Sequence, residues 1–442
     1  MKIQNLNNAT TFISSDKDKI ALDPWVVGSL YQNSWSSFPY YSDYVKYFEN
    51  ISHVIITHFH ADHFDPETLK LIDRNSEVII PELKFNSIME KTLKNLNFKN
   101  VKFLKLSEWH KISDNFSIYI IPPLNEMAQE IELYEKYNDT NSIAIDTGII
   151  LNEKNSNTNH IFLADNSPYD LNAFKKHIGK IDYSSFWFPY NGFAGDYPLC
   201  YDNLSMKEKK KISLDMSLKR EKFNLDAIEA CDPKLLFPYS SDFTLHGPYE
   251  KEFFKVHEEV FFYKYKYAKR IEKITNKKSL ALYGPDNIVF KNNGDFEINL
   301  LSKIEQKKLK TFNNNVLTFP EINKNNSLID EIKLSLKAMF QRVQKYNLAM
   351  DGVDDWFFNI KTENNLFCVD LKNQTVKEIQ KVDKKNFDKN VLLLKSTEQI
   401  LRCLMQRKIH FDNAQIGCYL SWERHPNKFN KSLYDALCFF HI

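Results

Sequence analysis

The stretch His58-Phe59-His60-Ala61-Asp62-His63 constrains this chain more than any other, because it places three imidazoles and a carboxylate within six residues. The apolar run Val54-Ile55-Ile56 precedes it and reads as a buried strand. Asp65-Pro66-Glu67 follows, with Asp as N-cap and Pro at the first position of a helix. The four side chains therefore lie on a strand-to-helix loop. A structural face would repeat at 3.6 or 2 residues, and neither period takes in all four side chains. A loop can turn His58 and His60 to one point, and Asp62 and His63 to a second point nearby, which is what two adjacent cations need. A lone histidine ordinarily reads as a satisfied polar residue. Three of them beside an acid argue for metal.

A chain of 442 residues is too long for one ordinary core, so two domains are expected. The net charge of +2 predicts no general attraction to nucleic acid or to an anionic membrane. No run of about 18 apolar residues exists to span a bilayer, and the first eight residues contain no apolar signal core. Six scattered cysteines, with no C-x-x-C pair, read as reduced thiols of a cytoplasmic protein.

Strands are expected at 10–14 and 19–22 around the polar turn Asp16-Lys17-Asp18. The aromatic-rich stretch from Trp25 to Phe48 reads as packing that can also wall a substrate pocket. From Glu77 to Ile121 strands and helices alternate, which argues for layered α/β architecture. Ile161 to Asp165 reads as a buried strand ending in an acid, 185–189 and 235–238 as further core strands, and 205–230 as a long helix with a lysine-rich start. Polar breaks at 291–295 and 313–315 place a linker near residue 300. The two domains are then 1–300 and 301–442, the second α+β in its element order.

His58 to His63 resembles the HxHxDH signature of the metallo-β-lactamase fold. Leu22 to Gly28, Asp62 to Leu69, Phe193 to Pro198 and Leu236 to Tyr239 are similar, in content and order, to the lactamase-like part of CMP-N-acetylneuraminate hydroxylases. The resemblance spans roughly the first 260 residues. It implies an α/β fold, an αββα sandwich with the metal loop at the sheet edge, with 301–442 as an accessory domain loosely similar to sterol-carrier-like modules. It implies a first metal position at His58 and His60, and a second at Asp62, His63 and His246. Asp165 lies between them, and Asp62 and Asp165 are the catalytic carboxylates. Lactamase-like enzymes usually supply a further histidine to the first position, and none lies between His110 and His160. Asp139-Thr140, ahead of an expected strand at 142–145, stands in its place, either as a ligand or as an ordinary loop acid. Asp23, at a strand end, is either a turn residue or a partner that orients a ligand histidine.

The expected cofactors are two divalent ions: zinc, iron or manganese. The expected activity is hydrolysis of a phosphoester, amide or nucleotide-linked sugar by water that the ions acidify. The alternative is a non-haem iron oxygenase acting on a nucleotide sugar or related metabolite, since a carboxylate in place of a histidine favours iron or manganese over zinc. A third possibility, a binding protein that has lost turnover, is disfavoured by the intact metal motif. The expected partner is a small molecule, and specificity is assigned to loops 25–45 and 190–204 and to the second domain.

Overall fold

The computed structural model describes residues 1–40, 43–83, 86–124, 145–190, 195–292, 294–301, 316–382 and 390–442. Two large sheets dominate the first 300 residues. One has eight strands in the spatial order Phe296–Asn299, Asn287–Phe290, Lys2–Asn7, Thr10–Ser15, Asp18–Leu22, His53–Ile55, Glu77–Pro81 and Asn100–Leu104. The other has six, in the order Leu235–Tyr239, Ser185–Pro189, Thr158–Phe162, Gly148–Glu153, Phe116–Ile121 and Trp109–Lys111.

Alternation along single strands builds the layers, because successive side chains of a strand point to opposite faces. In His53–Ile55 and the residue after it, Ile55 enters the core between the two sheets while Val54 and Ile56 enter an outer core. Ile79 and its neighbours Val78 and Ile80 divide in the same way. The outer core of the eight-stranded sheet is closed by helices Pro66–Leu69 and Ser87–Asn95. In the six-stranded sheet, Trp187 faces inward and Phe186 and Phe188 face outward. That outer face is covered by helices Leu171–Ile178, Met206–Cys231 and Lys264–Thr275. The result is the helix–sheet–sheet–helix sandwich expected from the sequence.

The polar stretch 291–295 joins two paired strands: Asn287–Phe290 pairs with Phe296–Asn299 and extends the first sheet at its edge. The stretch 313–315 lies outside the described residues. A five-stranded sheet is built entirely from later residues, in the order Thr375–Glu378, Leu366–Asp370, Trp356–Lys361, Asn390–Lys395 and Ser421–His425. Its core is continuous with N-terminal side chains, Trp25, Tyr31, Trp35, Phe243 and Phe253 among them. Among the described residues no helix is long and apolar enough to cross a membrane.

Candidate metal centre

The strand His53–Ile55 lies between Asp18–Leu22 and Glu77–Pro81, parallel to both, so the loop that leaves it is anchored by a buried sheet. The loop then meets Asp23. This aspartate is fully buried in the left-handed region, φ 44°, at the end of the neighbouring strand. Its Oδ1 accepts the Thr57 backbone N–H at 2.7 Å, and its Oδ2 accepts the Thr57 hydroxyl at 2.7 Å and faces His63 Nδ1 at 2.9 Å. The Thr57 hydroxyl gives its proton to Asp23, so at 3.0 Å it accepts from His58 Nδ1. One carboxylate thus fixes two imidazoles, His63 directly and His58 through Thr57. Both contacts suit a ring whose Nδ1 carries the hydrogen and whose Nε2 is left to face a metal, the arrangement a metal-ligating histidine requires.

Both Nε2 atoms are buried, and among the described residues neither has a hydrogen-bond partner. An unsatisfied buried polar atom costs about 1–3 kcal/mol, so two side by side call for an occupant. Around them the carboxylates stand slightly too far for good hydrogen bonds. His63 Nε2 is 3.3 Å from Asp165 Oδ2 and 3.4 Å from Asp62 Oδ2. His58 Nε2 is 3.4 Å from Asp146 Oδ1 and 3.9 Å from Asp165 Oδ2. Two ligand atoms each about 2.1 Å from a tetrahedral ion lie about 3.4 Å apart, so these gaps match the edges of a coordination shell. Two groups of ligand atoms, each within 4.8 Å of one another, result: His58, His60 and Asp165, and Asp62, His63 and Asp165. Each group could hold a metal ion, and Asp165 belongs to both.

The two imidazoles differ in their electrostatics. Burial, with the nearby charge of His63, pushes His58 down to about 4, which leaves its imidazole neutral at pH 7. Burial opposes protonation of His63 as well, but Asp165, Asp62 and Asp23 outweigh it and hold its pKa well above the ordinary value. Asp62 and Asp165 are depressed despite burial, chiefly by His63.

Asp165 is delivered by a turn after strand Thr158–Phe162. Ala164 adopts φ 52°, its N–H donates to the Tyr239 hydroxyl at 2.6 Å, and its carbonyl accepts from the Ser240 hydroxyl at 2.7 Å. Tyr239, the last residue of the Leu236-Phe237-Pro238-Tyr239 run, therefore braces the turn that carries Asp165.

One of the sequence expectations sits differently. His246 joins neither group: it is buried, with Nε2 2.9 Å from the Ser36 hydroxyl. The reason is local, since strand Phe243–Leu245 pairs with Trp35–Ser37 in a separate three-stranded sheet and draws His246 onto that sheet. Asp139 lies outside the described residues. Besides Asp165, a described acid beside His58 and His60 is Asp146, whose Oδ1 is 3.6 Å from His60 Nδ1. Of the strand expected at 142–145 only Ile145 is described, and it is not strand; the described strand begins at Gly148. The chain contains two Asp-Thr pairs, Asp139-Thr140 and Asp146-Thr147, and the second directly precedes the apolar run Gly148 to Leu151. Thr147 ties that run to the histidine loop by donating to the Thr57 carbonyl at 2.7 Å.

Arg220, from the long helix, was not singled out by the sequence. Its guanidinium donates to the Tyr169 hydroxyl at 3.4 Å and lies within electrostatic reach of Asp165 and Asp146. Only its place in the fold separates it from the many basic residues of a solvated helix face.

No family model matches this chain. A putative Rieske 2Fe-2S iron-sulfur protein of Mycolicibacterium smegmatis is 24% identical over 204 residues, which is 46% of this chain and 36% of that protein's length. Among solved structures, the isothiocyanate hydrolase from Delia radicum gut bacteria covers 66% of this chain and is itself covered in full, with a TM-score of 0.45 and 13% identity. A mutant form of the CmlA β-hydroxylase covers 64% of this chain over 52% of its own, with a TM-score of 0.42 and 16% identity. The four layers, with the histidine loop leaving strand His53–Ile55, are the arrangement that the resemblance to the metallo-β-lactamase fold implies.

Proposed function

We propose that this chain is a metal-dependent hydrolase of a small molecule bearing a phosphoester, an amide or a nucleotide-linked sugar. One observation carries the reading: the buried, unpartnered Nε2 atoms of His58 and His63 both turn towards Asp165, which stands between two ligand groups. His58, His60 and Asp165, with Asp146, would hold one ion, and Asp62, His63 and Asp165 the other. Asp139 is kept as a further candidate for the first position. Two such ions supply Lewis acidity towards a phosphoryl or carbonyl oxygen and acidify water at neutral pH. The chain's own part is to hold the ligands. Asp23 and Thr57 orient the imidazoles, Tyr239 and Ser240 aim Asp165, and Arg220 attracts an anionic part of the substrate.

A second reading, an iron oxygenase, has one observation in its favour. Three carboxylates, Asp62, Asp146 and Asp165, accompany three histidines, and an oxygen-rich set suits iron or manganese better than zinc. A Rieske cluster would need a C-x-H and a C-x-x-H pair. Cys438-Phe439-Phe440-His441 has the second spacing, but the 442 residues contain no C-x-H, so this reading needs either a separate electron donor or a self-sufficient di-iron centre.

Turnover of a panel of chromogenic phosphoesters, amides and nucleotide sugars, with and without oxygen, separates the two. Hydrolysis that survives anaerobically, stops with a chelator and disappears in Asp165→Ala supports the first. Turnover that depends on oxygen and an added reductant overturns it in favour of the second.

A further inference from the structure

We propose that Tyr31 is a positioning residue through which residues 316–442 hold the Asp62 carboxylate in place. The inference rests on Asp62 being a ligand of the second ion.

Both oxygens of Asp62 are engaged from opposite sides. Oδ2 accepts from the Asn8 amide at 3.1 Å. The Asn8 amide cannot flip, because its own oxygen accepts the Asp242 N–H at 3.1 Å, and Asp242 is locked in a buried ion pair with Lys264 at 2.6 Å. That side is fixed by the two-sheet scaffold. Oδ1 accepts from the Tyr31 hydroxyl at 3.4 Å.

The Tyr31 side is built differently. Tyr31, Gln32 and Asn33 are three consecutive non-glycine residues in the left-handed region, at φ 49°, 58° and 67°. Side chains disfavour this backbone, and it persists where surrounding contacts over-determine it. The contacts come largely from beyond residue 315. The Thr318 N–H donates to the Gln32 carbonyl at 3.1 Å, and the Asn33 amide donates to the Thr318 hydroxyl at 3.1 Å. The Tyr419 hydroxyl donates to Gln32 Oε1 at 2.8 Å. Two residues further on, Trp35 Nε1 donates to the Ile416 carbonyl at 3.0 Å, and the Ser34 hydroxyl donates to the Gly417 carbonyl. The scaffold holds the following strand, through the His246 N–H to the Ser34 carbonyl at 2.7 Å, but supplies less to the turn itself. The C-terminal region therefore holds the turn that carries Tyr31, whose hydroxyl also meets the Ala61 backbone beside Asp62, and Tyr31 sets one side of Asp62.

A double-mutant cycle on the full chain tests this, with Co(II) as the probe. The affinity of each position is read from the visible absorption of the bound ion during competition with a chelator. Tyr31→Phe is expected to weaken the second ion up to about ten-fold, the lower end of the usual effect of removing a hydrogen bond to a metal ligand, because the contact is long at 3.4 Å, and to spare the first. Tyr419→Phe, whose hydroxyl touches no candidate ligand, is expected to weaken the second ion severalfold in the wild-type background and not at all in the Tyr31→Phe background. Gln32→Gly keeps the left-handed turn and removes the acceptor of the same bond, so it repeats the Tyr419→Phe result by an independent route. Additive losses, or no loss from Tyr419→Phe and Gln32→Gly, overturn the coupling while leaving the metal centre standing. A wild-type chain that binds no second ion overturns both.

Discussion

At the scale of the residue, Asp23 carries the largest burden of orientation. It accepts from Thr57 twice and from His63 once, and through Thr57 it orients His58. Asp23→Asn keeps the size and tolerates the left-handed backbone but replaces one acceptor oxygen with a donor. We expect it to weaken both ions by about ten- to a hundred-fold in chelator competition, with little change in thermal midpoint when ions are absent. An unchanged affinity would reduce Asp23 to a turn residue. Asp146 gives a second test at this scale. Asp146→Ala should weaken the first ion and spare the second, and Asp139→Ala, measured beside it, identifies which Asp-Thr pair supplies the carboxylate. The histidine loop was legible because its residue types and spacing have no structural alternative. Asp146 was not, because choosing between two Asp-Thr pairs needs the start of the strand, and the apolar run at 143–145 resembles the one that follows. His246 was misplaced because the sequence does not show that Phe243–Leu245 leaves the main sheet to pair with Trp35–Ser37.

At the scale of the element, the segment Asp196–Leu204 joins the site side of the sandwich to the C-terminal sheet. The Trp422 N–H donates to the Cys200 carbonyl at 2.9 Å, and the Asp202 N–H donates to the Trp422 carbonyl at 2.8 Å. Asp196 opens this segment, is 7% exposed, and is pushed up to about 7 by burial, against the opposing effects of Trp422 and Arg424. An unfolded aspartate titrates near 3.9, so between about pH 4 and 7 the folded chain keeps a proton that the unfolded chain has lost. Stability must therefore fall as pH rises through that window, by up to roughly 4 kcal/mol from this group. Asp196→Asn should remove most of that fall, seen as a smaller difference between denaturant midpoints at pH 5 and pH 8. An identical difference in wild type and variant would show that Asp196 is not the source. The element boundaries were largely readable from apolar runs and caps: Ser205 caps Met206–Cys231 with a full capping box, and Thr397 caps Glu398–Met405. The strand Gly148–Glu153 and the pairing of Asn287–Phe290 with Phe296–Asn299 were missed, since a polar stretch between two short strands reads as a break until the strands are seen paired.

At the scale of the whole molecule, we propose that the chain divides near residue 300, because every strand of the two large sheets precedes it and every strand of the five-stranded sheet follows it. The division is one of architecture and need not be one of folding. Trp35 stacks on Phe243 at 3.6 Å, and both lie in a core that continues into Leu336, Met339 and Trp422. We expect a single thermal transition for the full chain and an insoluble or partly unfolded fragment after cutting near residue 300. Two separate transitions, or a soluble folded 1–300 fragment, would instead make the two parts independent units.

The central claim is a pair of ions sharing Asp165, and elemental analysis of the chain purified without added metal tests it most directly. Two equivalents of zinc, iron or manganese per chain are expected. Asp165→Ala should weaken both, and His58→Ala and His63→Ala should each deplete mainly its own position. Metal content near zero in the wild type after reconstitution with each of the three metals, or content unchanged in all three variants, would contradict the claim.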